Sequence, residues 1–254
     1  MRLGCAAIFM GGREWDEVME PKQLLAKILE RIASVKASGG NPLVVLDLDG
    51  TLFDNGPRTW CLAAEALEQG GYKEARERLD TVSDRMLPYL VTDFLAQAGI
   101  TDEATVEFVT KYWFDRFFTD EYQKLDLPLE GSIEFVKALY EAGATMVYLT
   151  GRDVPGMLVG CTDALRTSGY PVGLVRTMMV LKPDFETKDL VFKTEAAEFI
   201  SQTGTVVAAF DNEPGNCNLF ADKWPDAFNV FLDTTCAPNP PVLDGSVHTI
   251  ENFS

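Results

Sequence analysis

The stretch "VVLDLDGTLFDN", residues 44–55, sets two aspartates, Asp47 and Asp49, two positions apart at the end of an apolar run. Side chains at that spacing on a strand point the same way, so the carboxylates repel unless positive charge lies near them. The run before them is short and rich in Val and Leu, the pattern of a strand buried on both faces of a parallel sheet. Similar runs follow at 145–151 ("TMVYLTG"), 205–211 ("TVVAAFD") and 227–233 ("AFNVFLD"), with a further strand expected near 173–181. Helical patterns fall between them at about 132–142, 155–168, 192–202 and 214–223. This alternation predicts an α/β fold built on a parallel sheet with right-handed crossovers.

Two regions stand outside that rhythm. "PKQLLAKILERIASVK" from Pro21 places Leu24, Leu25, Ile28, Leu29, Ile32 and Val35 on one helical face, and "ASGGNP" ends it. The interval 56–128 reads helix after helix, including all of "YKEARERLDTVSDRMLPYLVTDFLAQAG", and is expected to be an inserted all-helical cap. The expected organisation is therefore an N-terminal helical extension at 1–42, a core at 43–55 and 129–254, and the cap at 56–128.

Composition narrows the functions open to the chain. With 254 residues, 46% of them apolar, it can bury a full core. A net charge of −17 without Lys/Arg clusters excludes a nucleic-acid binder, and anionic ligands need a local cation. The five cysteines are scattered with no CxxC pair, which speaks against a disulfide framework and for a reducing compartment, the cytoplasm. The opening "MRLGCAAIFM" is too short for a signal segment, and no apolar run reaches about 18 residues, so no membrane partner is expected. His248 is the single histidine, read as a surface residue of the tail, so carboxylates or a metal must carry proton transfer.

In open α/β sheets the ligand lies beyond the carboxyl ends of the strands. Asp47 and Asp49 end the first strand, Thr150 and Gly151 the second, and Asp211 the fourth, while Lys193 opens the helix before it. Carboxylates there repel a phosphate, but around a hard cation such as Mg²⁺ they favour phosphoryl oxygens and water. Asp47 can then attack phosphorus, and Asp49, with a pKa expected to be raised by its like-charged neighbours, can serve as acid and then base.

"DLDGTLFD" (47–54), "VYLTGRD" (147–153), "FKTEAAEFI" (192–200) and "AFDNEPGN" (209–216) together resemble the four ordered motifs of the haloacid dehalogenase-like (HAD) superfamily, over about 43–235. The resemblance implies a Rossmann-like core, an Asp nucleophile, Mg²⁺ as cofactor and a C1-type helical cap at 56–128 that closes over substrate. It implies catalytic roles for Asp47, Asp49, Thr150 and Lys193, and metal binding by Asp47, Asp49 and Asp211. The phosphate-binding set is Thr51, Thr150, Gly151 and Lys193; Lys193 is chosen over Lys182 and Lys188 because it begins the last helix before strand four. A second acidic group usually near the fourth-motif aspartate is represented here only by Asn212 and Glu213, read as support for the metal. Arg152 is expected to be a structural or cap-contacting arginine, and Arg58 to lie at the cap hinge. A carboxylate at Asp49 favours phosphatases and phosphomutases over dehalogenases and P-type ATPases. The expected activity is Mg²⁺-dependent hydrolysis of a small phosphorylated metabolite through an aspartyl-phosphate. The alternatives are mutase-type phosphoryl transfer, or non-catalytic binding of a phosphate ligand or phosphoprotein.

Overall fold

The structure is a computed structural model and describes residues 20–254. The opening "MRLGCAAIFM" and the start of the expected N-terminal extension lie outside the described residues. In chain order come α1 (Pro21–Ala37), β1 (Pro42–Leu46), β2 (Phe53–Asp54), α2 (Gly56–Gln69), α3 (Lys73–Leu79), α4 (Val91–Gln97), α5 (Glu103–Phe117) and β3 (Leu127–Pro128). They are followed by α6 (Ser132–Glu141), β4 (Thr145–Asp153), α7 (Val154–Ser168), β5 (Thr177–Lys182), α8 (Asp189–Ser201), β6 (Thr205–Asp211), α9 (Pro214–Lys223), β7 (Phe228–Leu232) and β8 (His248–Ile250).

Six strands form a parallel sheet in the order β5-β4-β1-β6-β7-β8, an α/β, Rossmann-like architecture. Every residue of β1 is buried, because helices cover both faces. Val44 and Leu46 point to the face packed by α1, α6 and α7, with Leu24, Ile28, Phe135 and Leu165. Leu43 and Val45 point to the other, against Phe192, Ile200 and Phe220 of α8 and α9. In α1, Pro21 starts the helix and Leu24, Ile28 and Ile32 are wholly buried, each worth about 1.5–3 kcal/mol of transfer free energy.

The chain continues from β4 and β5 on one side of β1 to β6 on the other. That reversal opens a crevice at the carboxyl ends of the strands flanking β1. Between β2 and β3, which pair antiparallel, helices α2 to α5 build a separate apolar core around Leu62, Phe94, Leu95 and Val109.

Four details depart from the sequence reading. Residues 80–90 are irregular rather than helical: Ser83 Oγ accepts the Arg85 N–H at 3.1 Å, Met86 has φ 51°, and Pro88 follows. Helix α8 starts at Asp189, so Lys193 lies in its second turn. His248 is no tail residue, since it opens β8, pairs with Val230 and is half-buried against Phe228. Cys236 is disulfide-bonded, whereas Cys61, Cys161 and Cys217 are free thiols. Among the described residues no helix is long and apolar enough to cross a membrane.

Candidate active site

After β1 the chain folds back at once, with the N–H groups of Thr51, Leu52 and Phe53 all donating to Leu48 O at 2.8–3.2 Å. Gly50 makes this turn possible: its φ is 75°, and a Cβ there would stand 2.2 Å from Asn212 Nδ2. Thr51 is buried with Oγ1 3.5 Å from Asn212 Oδ1, so the exits of β1 and β6 are tied together.

Asp47 and Asp211 meet at Lys193. Its Nζ donates to Asp47 Oδ1 at 2.8 Å and to Asp211 Oδ2 at 2.8 Å, and Asp189 Oδ2 lies 3.6 Å away. All three bonded groups are nearly inaccessible to solvent. Burial pushes the Asp47 carboxyl well above its usual pKa, with Lys193 opposing. Burial pulls the Lys193 ammonium down, but Asp189, Asp211 and Asp47 outweigh it and hold it well above the usual value. Asp211 Oδ1 accepts the Glu213 N–H at 2.9 Å and Asn216 Nδ2 at 3.1 Å, which fixes that carboxylate from the first turn of α9.

Thr150 is fully buried at the end of β4, and its Oγ1 accepts the Arg152 N–H at 3.2 Å. Gly151 is required for close approach, since a Cβ would stand 2.3 Å from Asp189 Oδ1, a buried oxygen with no hydrogen-bond partner. Asn212 donates to Thr235 O, and Glu213 Oε1 accepts the Ala237 N–H at 2.9 Å, so both anchor the segment leaving β7. Burial pushes the Glu213 carboxyl up to about 7, with the Ala237 N–H opposing.

Asp49 does not join the other carboxylates. Arg152 grips it through Nε to Oδ2 at 2.9 Å and NH2 to Oδ1 at 2.8 Å, and Arg58 NH2 and Asn55 Nδ2 reach Oδ1 at 2.9 and 3.1 Å. Burial pushes the Asp49 carboxyl up, but Arg152 and Arg58 outweigh it and hold it well below the usual range. The expectation of a raised pKa from like-charged neighbours is therefore wrong: two guanidiniums, not two carboxylates, set its environment. The same guanidiniums reach Asp126, at 2.7 Å from Arg152 NH2 and 3.0 Å from Arg58 Nε, and Arg152 NH1 donates to Gln123 Oε1 at 2.6 Å. The Arg58 Nε contact is close enough for an ion pair but misaligned for a hydrogen bond.

These strand-end groups sit around one crevice of a six-stranded parallel sheet. A candidate phosphatase from Clostridium difficile superposes with a TM-score of 0.54 at 13% identity, covering 79% of this chain and 89% of that one. The chain shares the α/β fold of that structure. The class C acid phosphatase of Bacillus anthracis gives a TM-score of 0.48 at 17% identity, over 84% of this chain and 76% of that one. A HAD-superfamily hydrolase of subfamily IA from Geobacter sulfurreducens gives 0.46 at 16% identity, over 85% and 94%. At these identities the likeness is one of fold. No family model matches the sequence, and no curated protein does.

Within this crevice, sequence reasoning passed over Asp126, Gln123, Asn55, Asp189 and Asn216. Asn216 carried a signal, five residues after Asp211 and in the first turn of α9; so did Asp189, four before Lys193 on one helix face. Asp126 and Gln123 carried none, because their partner Arg152 is 26 and 29 residues away. An open cleft of about 660 Å³, lined by Tyr72, Arg78, Ile100 and Thr105, lies between the α2–α3 and α4–α5 turns and holds none of these groups.

Proposed function

We propose that the chain is a divalent-metal-dependent phosphomonoester hydrolase acting on a small phosphorylated metabolite. The observation that carries this reading is the junction of Asp47, Lys193 and Asp211. One oxygen of Asp47 is held by the ammonium, and Oδ2 has no partner among the described residues. Asp47 Oδ2 attacks phosphorus, the bond to the leaving oxygen breaks, and an aspartyl-phosphate forms on Asp47. Asp49, after taking up a proton from solvent, gives it to the leaving alkoxide, then takes one from the water that attacks phosphorus and frees phosphate. For this it must be loosened from Arg58 and Arg152. Lys193 offsets the charge on nucleophile and phosphoryl group, and Thr51, Thr150 and the Gly151 N–H hold the phosphoryl oxygens.

The donor chemistry fits a hard cation in part. Asp47 and Asp211 are oxygen donors converging on one position, whereas both oxygens of Asp49 are engaged by arginines, and among the described residues no group of three or more His, Cys, Asp or Glu stands arranged for a metal. Asp47 and Asp211 would hold Mg²⁺, which supplies the positive charge that lets a carboxylate-lined site accept an anionic phosphoryl group. Asp49 would contribute no side-chain oxygen, and Asn212 and Glu213 would act at a distance by anchoring the segment after β7. Residues 56–128 would serve as the helical cap over a core of 43–55 and 129–254, with 1–42 as an extension.

The hold on Asp49 favours one second reading, a protein that binds a phosphate group without turning it over. Phosphate release from a phosphomonoester panel, with Mg²⁺ and with EDTA, separates the two. Metal-dependent release supports the hydrolase. Binding of a phosphate analogue with no release from any ester supports the binding protein.

A further inference from the structure

Arg58, Arg152, Asp49, Asp126 and Gln123 form a buried cluster where the helices α2 to α5 leave and rejoin the sheet. Its members come from the turn after β1, the first turn of α2, the approach to β3 and the end of β4. Arg152 NH2 is shared, at 2.8 Å from Asp49 Oδ1 and 2.7 Å from Asp126 Oδ2. Arg58 is shared too, with NH2 2.9 Å from Asp49 Oδ1 and Nε 3.0 Å from Asp126 Oδ1. The side chains of Arg58 and Asp126 are 0% exposed, so neither can turn to water for a substitute partner. Two cations therefore face two anions, and each guanidinium is divided between them.

We propose that Asp126 is a positioning residue: by taking a share of Arg58 and Arg152 it sets how firmly Asp49 is held, and so how readily Asp49 reaches the reacting oxygen. The inference rests on the hydrolase reading. Without the Asp126 charge, both guanidiniums have Asp49 as their sole anion in the cluster and grip it harder. The step that suffers is proton delivery from Asp49 to the departing alkoxide as the P–O bond breaks. Attack by Asp47 is not touched.

Asp126→Asn tests this with two esters, glycerol phosphate, whose alkoxide needs a proton, and p-nitrophenyl phosphate, whose phenolate leaves without one. The expected result, read in the first turnover where release of the leaving group precedes hydrolysis of the aspartyl-phosphate, is a fall of about tenfold or more in the rate of glycerol release, with the rate of p-nitrophenolate release within about threefold. Equal loss on both esters, or loss on neither, overturns the proposal, since a merely structural role moves both alike. Should Asp126→Asn fail to fold, Asp126→Asn with Gln123→Glu returns a second anion to Arg152. That variant is expected to fold and keep the wild-type ratio between esters, and a fallen ratio or failure to fold overturns the proposal. A wild type that hydrolyses neither ester removes the hydrolase reading and this inference with it. An active wild type beside a variant with an unchanged ratio counts against Asp126 alone.

Discussion

Lys193 Nζ stands 2.8 Å from Asp47 Oδ1 and 2.8 Å from Asp211 Oδ2, so one ammonium joins the ends of β1 and β6. Neither carboxylate has solvent to turn to, which makes the ammonium structural as well as electrostatic. Lys193→Met leaves two buried carboxylates facing each other and is expected to cost about 3 kcal/mol in urea unfolding. Mg²⁺ should raise the unfolding midpoint of the variant more than that of wild type, because a cation returns to the same pair. No response to Mg²⁺ in either protein would contradict a metal site at Asp47 and Asp211.

Gly50 combines two demands that can be measured apart. Its φ of 75° and the 2.2 Å approach of Asn212 Nδ2 both oppose a side chain. Gly50→Ala is expected to destabilise by about 2–3 kcal/mol, of which about 1 kcal/mol remains when Asn212→Ala removes the clash. Full recovery in the double variant would show that the left-handed backbone costs nothing there.

The helices between β2 and β3 carry their own core, with Phe94 wholly buried in it. Phe94→Ala should cost about 3–5 kcal/mol within that unit. Hydrogen exchange is expected to speed up across α2, α4 and α5 while β1, β4 and β6 keep their protection. Uniform loss of protection would mean that helices and sheet unfold as one body.

His248 gives a pH dependence with a definite sign. Burial lowers its pKa below the ordinary value of 6.5, and the nearby charge of Lys27 adds to this. The folded state therefore resists protonation that the unfolded state accepts. Stability is unaffected above pH 6.5 and falls as the pH drops from there through the lower folded value. His248→Gln should flatten that part of the stability curve, followed by urea midpoints between pH 7 and pH 5. An unchanged slope would place the acid sensitivity in other groups.

How far the sequence could be read follows from where each signal lies. β1, β4 and β6 were legible because apolar runs end abruptly in Asp47, Thr150 and Asp211, and a buried parallel strand needs no partner in view to look like one. The start of α8 was misplaced because Lys188 and Asp189 look like loop residues, although Asp189 sits in the first turn, where an acidic side chain is favoured. β8 was invisible: three residues after a proline-rich stretch carry no periodicity, and their pairing with β7 is decided by tertiary contact. The environment of Asp49 was misread for the same reason. Asp47 is its neighbour in sequence, but Arg152, 103 residues away, holds both its oxygens. Charge repulsion could be inferred from spacing, while its remedy came from across the fold.

The most direct test of the central claim is to trap the phosphoryl group. Enzyme mixed with a turned-over ester and Mg²⁺, quenched in acid and digested, should yield a phosphorylated peptide containing Asp47, and Asp47→Asn should yield none. A phosphorylated wild-type peptide lacking Asp47, or phosphate release by Asp47→Asn at the wild-type rate, would contradict the assignment of Asp47 as nucleophile.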